Sequence, residues 1–271
     1  MNLEPSLIDE IRRVAEAAVQ AEPARLSRAG WWKSPLVASA PVDARFDCLP
    51  SIAAPDHLHP RDLLPTARSV VVFFIPFRSA LPRANRPGDR PCREWGAAYV
   101  DTNRLIATVS AELARRLEAE GHRCGLTPAT ANFSEETLTA RWSHKHLGHL
   151  AGLGRFGTHC MLITPAGCAG RLGSLVTEAD LGDHPLIETD EACLLRAGRR
   201  CGRCMEACPV AALEPSGFRR RRCWERLLEN RSVLAGFADL PLDTQVCGKC
   251  ATVMPCSVAN PMRRLRPARP A

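Results

Sequence analysis

The chain has 271 residues, 45% of them hydrophobic and 24% charged, with 13 Cys and a net charge of +7. These values suit one large domain or two modest ones and exclude wholesale disorder. No run approaches the roughly 18 apolar residues that span a bilayer, and Met1-Asn2-Leu3-Glu4-Pro5 lacks the basic-then-apolar pattern of a secretory signal.

The expectation is therefore a cytoplasmic protein with no membrane partner. In a reducing compartment so many Cys argue for metal or redox chemistry, not a disulfide framework. Residues 6–21 read as an amphipathic helix, with Leu7, Ile8, Ile11, Val14, Ala15 and Ala18 at helical spacing. Residues 69–77 read as a buried strand, β-branched and aromatic up to Pro76. Residues 78–93, with Pro82, Pro87, Gly88 and Pro91, read as a loop. A long helix is predicted over 94–119, closed by Gly121. Short strands follow near 122–127, 159–164 and 173–177, with a helix over 142–151 between them. Alternating helices and strands give an α/β (α+β) layer architecture as far as residue 190.

Past that point the chain becomes punctuated by Cys. Residues 191–271 hold 15 basic and 7 acidic residues and eight of the Cys. Cys201-Gly-Arg-Cys204-Met-Glu-Ala-Cys208-Pro209 is C-x2-C-x3-C-P, the end of the bacterial ferredoxin run C-x2-C-x2-C-x3-C-P. Residue 198, where the first Cys of that run would fall, is Gly, and Cys193 is the substitute on a longer loop. Cys223, Cys247, Cys250 and Cys256 complete eight ligands, enough for two four-thiolate sites. In two-cluster ferredoxins the Cys before Pro serves the other cluster. That crossover assigns Cys193, Cys201, Cys204 and Cys256 to one [4Fe–4S] cluster and Cys208, Cys223, Cys247 and Cys250 to a second. The competing reading is two structural zinc sites, since paired C-x2-C elements also bind zinc. The predicted organisation is an α/β domain over 1–188 and a ferredoxin-like two-cluster domain over 189–271. The local positive charge is partly neutralised by two anionic clusters, which weakens a nucleic-acid reading of Arg219–Arg222.

Gly152-Leu-Gly154-Arg-Phe-Gly157, then Leu162-Ile163-Thr164, then Gly173-Ser-Leu-Val-Thr177 resembles the GLG-x-x-G, LIT and G-x-x-T stretches of epoxyqueuosine reductases. The chain most resembles their short, iron–sulfur relatives through Trp142-Ser-His144-Lys145, Gly167-Cys-Ala-Gly-Arg171 and Cys247-Gly-Lys-Cys250. The resemblance implies an N-terminal domain that holds cobalamin, with Gly152, Gly154 and Gly157 at the cofactor site, and clusters that feed electrons to it. It implies a reductase acting on a nucleoside or small molecule, with tRNA as a partner and a ferredoxin or flavodoxin as electron donor. The reductases carry Asp-x-x-Pro…Glu-Arg before the glycines. Here the matching positions are Leu138, Arg141 and His144-Lys145, so His144 and Lys145 are expected to face the cavity. Tyr99, the one Tyr of the chain, shares a helix face with Asn103 and is a candidate proton donor or substrate contact. The chain ends before the C-terminal repeat of longer reductases, so the expectation is a shared electron-transfer chassis with a different substrate. Two other readings stand beside an enzyme: a ferredoxin-type carrier without its own catalytic site, and an RNA-binding module with structural clusters.

Overall fold

A computed structural model describes residues 6–25, 30–128, 133–187 and 190–263. The N-terminal Met1–Pro5 segment and the predicted boundary at residues 188 and 189 lie outside these residues. In chain order the helices are α1 (Leu7–Arg25), α2 (Leu49–Ile52), α3 (Pro60–Leu63), α4 (Ala80–Asn85), α5 (Arg93–Ala119), α6 (His144–Leu150), α7 (Arg203–Glu206) and α8 (Arg220–Val233). The strands are β1 (Leu36–Pro41), β2 (Ser69–Pro76), β3 (Cys124–Leu126), β4 (Arg155–Phe156), β5 (Leu162–Ile163), β6 (Gly170–Thr177), β7 (Leu213–Glu214) and β8 (Gly217–Phe218). The architecture is mixed α/β.

The chain divides into two compact units. The first comprises residues up to Ile75, Asn103–Leu153 and Arg171–Leu186. It holds a four-stranded sheet in the order β1-β2-β6-β3. β1 runs antiparallel to β2, with Leu36 opposite Phe74, and β3 runs antiparallel to β6, with Cys124 opposite Thr177. Every residue of β2 is buried, which is why its sequence is a continuous apolar run and not an alternating one. Ile8, Ile11, Ala15 and Val19 of α1 are buried, as are Leu105, Ile106, Val109, Leu113 and Leu117 of α5. Both sets recur at three and four residues, the stripe that seats a helix on a core.

The second unit comprises Pro76–Thr102, Gly154–Gly170 and the chain from Ile187 on. Two early segments thus join the Cys-rich part, which a single cut in the sequence cannot express. Polar anchors explain their attachment. The backbone N–H groups of Cys168 and Ala169 donate to the carbonyls of Cys256 and Ser257, each at 2.9 Å. Asn85 donates its amide to the Cys247 carbonyl at 2.9 Å and accepts the Cys92 N–H at 2.9 Å. The Lys249 ammonium, 2% exposed, donates to the carbonyls of Asn85 (2.6 Å) and Pro87 (2.8 Å). Arg226, buried on α8, reaches the Asp89 carboxylate at 2.9 Å and Glu229 at 3.0 Å. The stretch 78–93 therefore contains α4 and is tied down at several points, where its Pro and Arg content reads as an open loop.

Candidate metal centre

All eight predicted Cys ligands lie in the second unit. α7 starts at Arg203, so Cys204 falls in its single turn and Cys208 just beyond its end. The Cys204 thiol is pushed up to about 11, first by burial and then by the neighbouring sulfurs of Cys256, Cys193 and Cys201. Those four groups also line one pocket, of about 390 Å³ with its mouth included, together with Thr158 and His159. Cys250 is raised by burial and then by Cys223, Cys247 and Cys208. Cys247 is raised by burial and, among its smaller influences, by Cys208. Two sets of electrostatically linked Cys emerge, Cys204 with Cys193, Cys201 and Cys256, and Cys250 with Cys208, Cys223 and Cys247. Cys204 is also among the influences on Cys250, so the two sets adjoin.

The chemistry of the donor sets fits four-thiolate metal centres. Sulfurs that mutually raise one another as thiols are relieved when a cation takes their protons. Backbone and side-chain donors also face them. The Ala212 N–H donates to Cys208 Sγ at 3.2 Å, and Thr158 Oγ1 lies 3.5 Å from Cys193 Sγ.

The site has two members that the spacing of the Cys does not reveal. A ring nitrogen of His159 and the sulfurs of Cys168 and Cys256 lie within 4.8 Å of one another. Cys168 is buried, with its sulfur beside that of Cys256. That contact, with His159 as a second neighbour, favours the Cys256 thiolate, while Cys168 is held as the thiol. The segment carrying both residues holds no chelating Cys pair, and His159 reads as part of a strand. In the structure it sits in the turn between β4 and β5.

The other candidates are dispersed. Tyr99 is half-buried in the second unit, and His144 and Lys145 are in the first. His144 is 8% exposed, and both of its ring nitrogens are engaged. Trp142 Nε1–H donates to Ser174 Oγ at 2.9 Å, leaving the Ser174 hydroxyl to donate to His144 Nδ1 at 2.7 Å. His144 Nε2–H then donates to the Pro128 carbonyl at 3.2 Å. Burial, above all, lowers its value to about 4, so it is neutral and structural in character. Lys145, the next residue, is half-buried. Gly152 follows α6 in the first unit, packed on Pro185, whereas Gly154 and Gly157 flank β4 in the second. Of the basic run, Arg219 and Arg222 share Glu214 at 2.9 and 3.5 Å, which reduces its free charge.

The chain matches no protein-family profile. It is 27% identical over 205 residues to the epoxyqueuosine reductase of Bacillus subtilis (strain 168), covering 72% of this chain and 49% of that protein. It thus spans about half the length of this curated relative. Its fold is similar to that of epoxyqueuosine reductase from Streptococcus thermophilus (TM-score 0.56, 17% identity, 96% of this chain and 68% of the other). It is also similar to an epoxyqueuosine reductase solved with an epoxyqueuosine-modified tRNA-Tyr stem loop (TM-score 0.53, 18% identity, 91% and 66%). The chain therefore resembles the epoxyqueuosine reductases in sequence and in fold. No helix among the described residues is long and apolar enough to cross a membrane.

Proposed function

We propose that this chain is an iron–sulfur oxidoreductase of the epoxyqueuosine reductase type, working in the cytoplasm. Two [4Fe–4S] clusters in a ferredoxin-like domain over 189–271 would relay electrons to a site in the domain over 1–188. The observation that carries this reading is the pair of adjoining thiol foursomes, Cys193/Cys201/Cys204/Cys256 and Cys208/Cys223/Cys247/Cys250. When bound, such clusters supply one-electron transfer. The chain's own residues do the rest. Thr158 and the Ala212 N–H offer donors to ligand sulfurs. Lys249 and Asn85 fix the Cys247–Cys250 turn by binding backbone carbonyls beside it. Leu213 and Val253 pack against Cys204 and keep water from it.

An electron donor such as a ferredoxin or flavodoxin suits the basic surface of the Cys-rich segment. A nucleoside substrate, carried on tRNA or free, follows from the likeness to the reductase solved with a tRNA stem loop. Tyr99 and Lys145 remain the residues proposed to act on the substrate, with His144 held in place by Ser174 and Pro128. Gly152, Gly154 and Gly157 are proposed for close backbone approach to a cofactor. Cobalamin enters from the family resemblance alone, and no step is assigned to it.

The test is anaerobic reconstitution with iron and sulfide, followed by metal analysis and visible absorption. Eight iron atoms per chain, about four for each foursome, support the reading. A colourless zinc protein refutes it. Titration of the reconstituted protein with cobalamin, followed by absorbance, then decides whether a corrinoid binds.

A further inference from the structure

The turn between β4 and β5 carries a polar atom that the fold itself leaves unused. His159 is 2% exposed. Its Nδ1 accepts the backbone N–H of Met161 at 3.1 Å. That bond fixes the tautomer, because an accepting Nδ1 leaves the proton on Nε2. Nε2 is fully buried and has no hydrogen-bond partner. The ring is held by more than this bond. Gly157 has no Cβ, and one placed there would lie 2.5 Å from His159 Cε1 and 2.9 Å from Nδ1. The ring lines the pocket shared by Cys193, Cys201, Cys204 and Cys256. One of its nitrogens is within 4.8 Å of the Cys256 sulfur. A buried, oriented, unpartnered N–H beside a metal-ligating sulfur has an evident acceptor once that sulfur is a thiolate. The preceding residue also sets a polar atom beside a ligand sulfur, with Thr158 Oγ1 at 3.5 Å from Cys193 Sγ.

We propose that His159 is a positioning residue for the cluster held by Cys193, Cys201, Cys204 and Cys256, donating Nε2–H to the Cys256 sulfur and raising that cluster's reduction potential. The inference rests on the cluster reading above. Reduction adds one electron and therefore one negative charge to the thiolate-ligated centre. A fixed N–H dipole aimed at a ligand sulfur stabilises the reduced form more than the oxidised one. The effect falls on one cluster, since the described partners of the second set do not include His159.

The test uses the full chain, reconstituted anaerobically and titrated electrochemically with EPR detection of each cluster. His159→Phe keeps a ring and removes the donor, and His159→Gln keeps an N–H. The Phe variant should lower one potential by an amount equivalent to about a tenfold change in the reduction equilibrium, or 59 mV for a one-electron couple. The second potential should stay, and the Gln variant should fall between the Phe variant and the parent. The reduced parent, labelled with 15N-histidine, should show a weak nitrogen coupling that the Gln variant lacks. Intact clusters with unchanged potentials in His159→Phe overturn the proposal, as do equal shifts of both clusters. If the Phe variant loses its cluster, the labelled parent decides, and absence of nitrogen coupling there overturns it. A parent that takes up no iron overturns the cluster reading and this inference together, and is seen before any variant is made.

Discussion

Gly167→Ala is the sharpest probe of how the second unit holds its Cys. Gly167 has φ +93°, in the left-handed region, where a Cβ costs about 1–2 kcal/mol. The added carbon would also land on the Ser257 carbonyl oxygen and lie 2.6 Å from the Ala259 nitrogen. Both are backbone atoms, so neither can swing aside. Relief requires prying residues 167–169 from 256–257, which breaks the two 2.9 Å bonds of Cys168 and Ala169, each worth about 0.5–1.5 kcal/mol. The sum is about 2–5 kcal/mol, toward the upper end for a single substitution. Gly88→Ala is the control. Gly88 also has a positive φ (+67°) but nothing within 4 Å of a built Cβ, so it should lose only the conformational share of about 1–2 kcal/mol. Urea unfolding of the reduced, metal-free chain reads the difference. With an m-value of about 2 kcal/mol/M, the Gly167→Ala midpoint should drop by about 1–2.5 M and that of Gly88→Ala by about 0.5–1 M. Equal midpoints for the two variants would show that the contact with Ser257 and Ala259 is not what restricts position 167.

Three further outcomes are expected. His144 is held neutral near a value of 4 against an ordinary 6.5, a gap worth about 3 kcal/mol. The unfolded chain takes the proton first, so this stability is complete above pH 6.5 and declines as pH falls toward 4. Urea midpoints across that window should slope less in His144→Gln, and parallel curves would refute the assignment. Asn85→Ala strands the Cys92 N–H and the Cys247 carbonyl, which should cost about 2–4 kcal/mol in a thermal melt. Cys204→Ala should halve the iron content and leave the Cys208/Cys223/Cys247/Cys250 signal in the EPR spectrum, whereas loss of all iron would mean the foursomes do not assemble separately.

Much of this was legible in the sequence wherever the determinant is local. β2 and the long helix α5 match their predicted spans closely, because a continuous apolar run and a 3.6-residue stripe each carry their own signal. β1 was missed, since Leu36-Val-Ala-Ser-Ala-Pro41 is small, ends in Pro and acquires its meaning only by pairing with β2. The 78–93 stretch reads as a loop for the same reason. Asn85, Lys249 and Arg226 tie it to residues far away along the chain, and nothing in its composition announces them. His144 shows the converse situation. A His at the start of a helix, at a position matched to a family motif, suggests chemistry, whereas in the fold Ser174 and Pro128 occupy both of its ring nitrogens.

The last ligand illustrates why spacing alone stops short. After Cys247 and Cys250, the C-x2-C-x3-C-P pattern would place a Cys at residue 254, but that residue is Met254 and the Cys comes after Pro255. A shift of two residues should carry the thiol out of reach if the turn were the one positioning device. Instead the backbone of residues 256–257 is clamped by Cys168 and Ala169 from an earlier segment. The Cys168 thiol and the His159 ring then sit beside Cys256. Chelation by a C-x2-C turn needs only local geometry, so four positions suffice to recognise it. A displaced ligand needs a template from elsewhere in the chain, and here the template is the Gly157–Ala169 stretch, where Gly157 makes room for the His159 ring and Gly167 for the Ser257–Ala259 backbone.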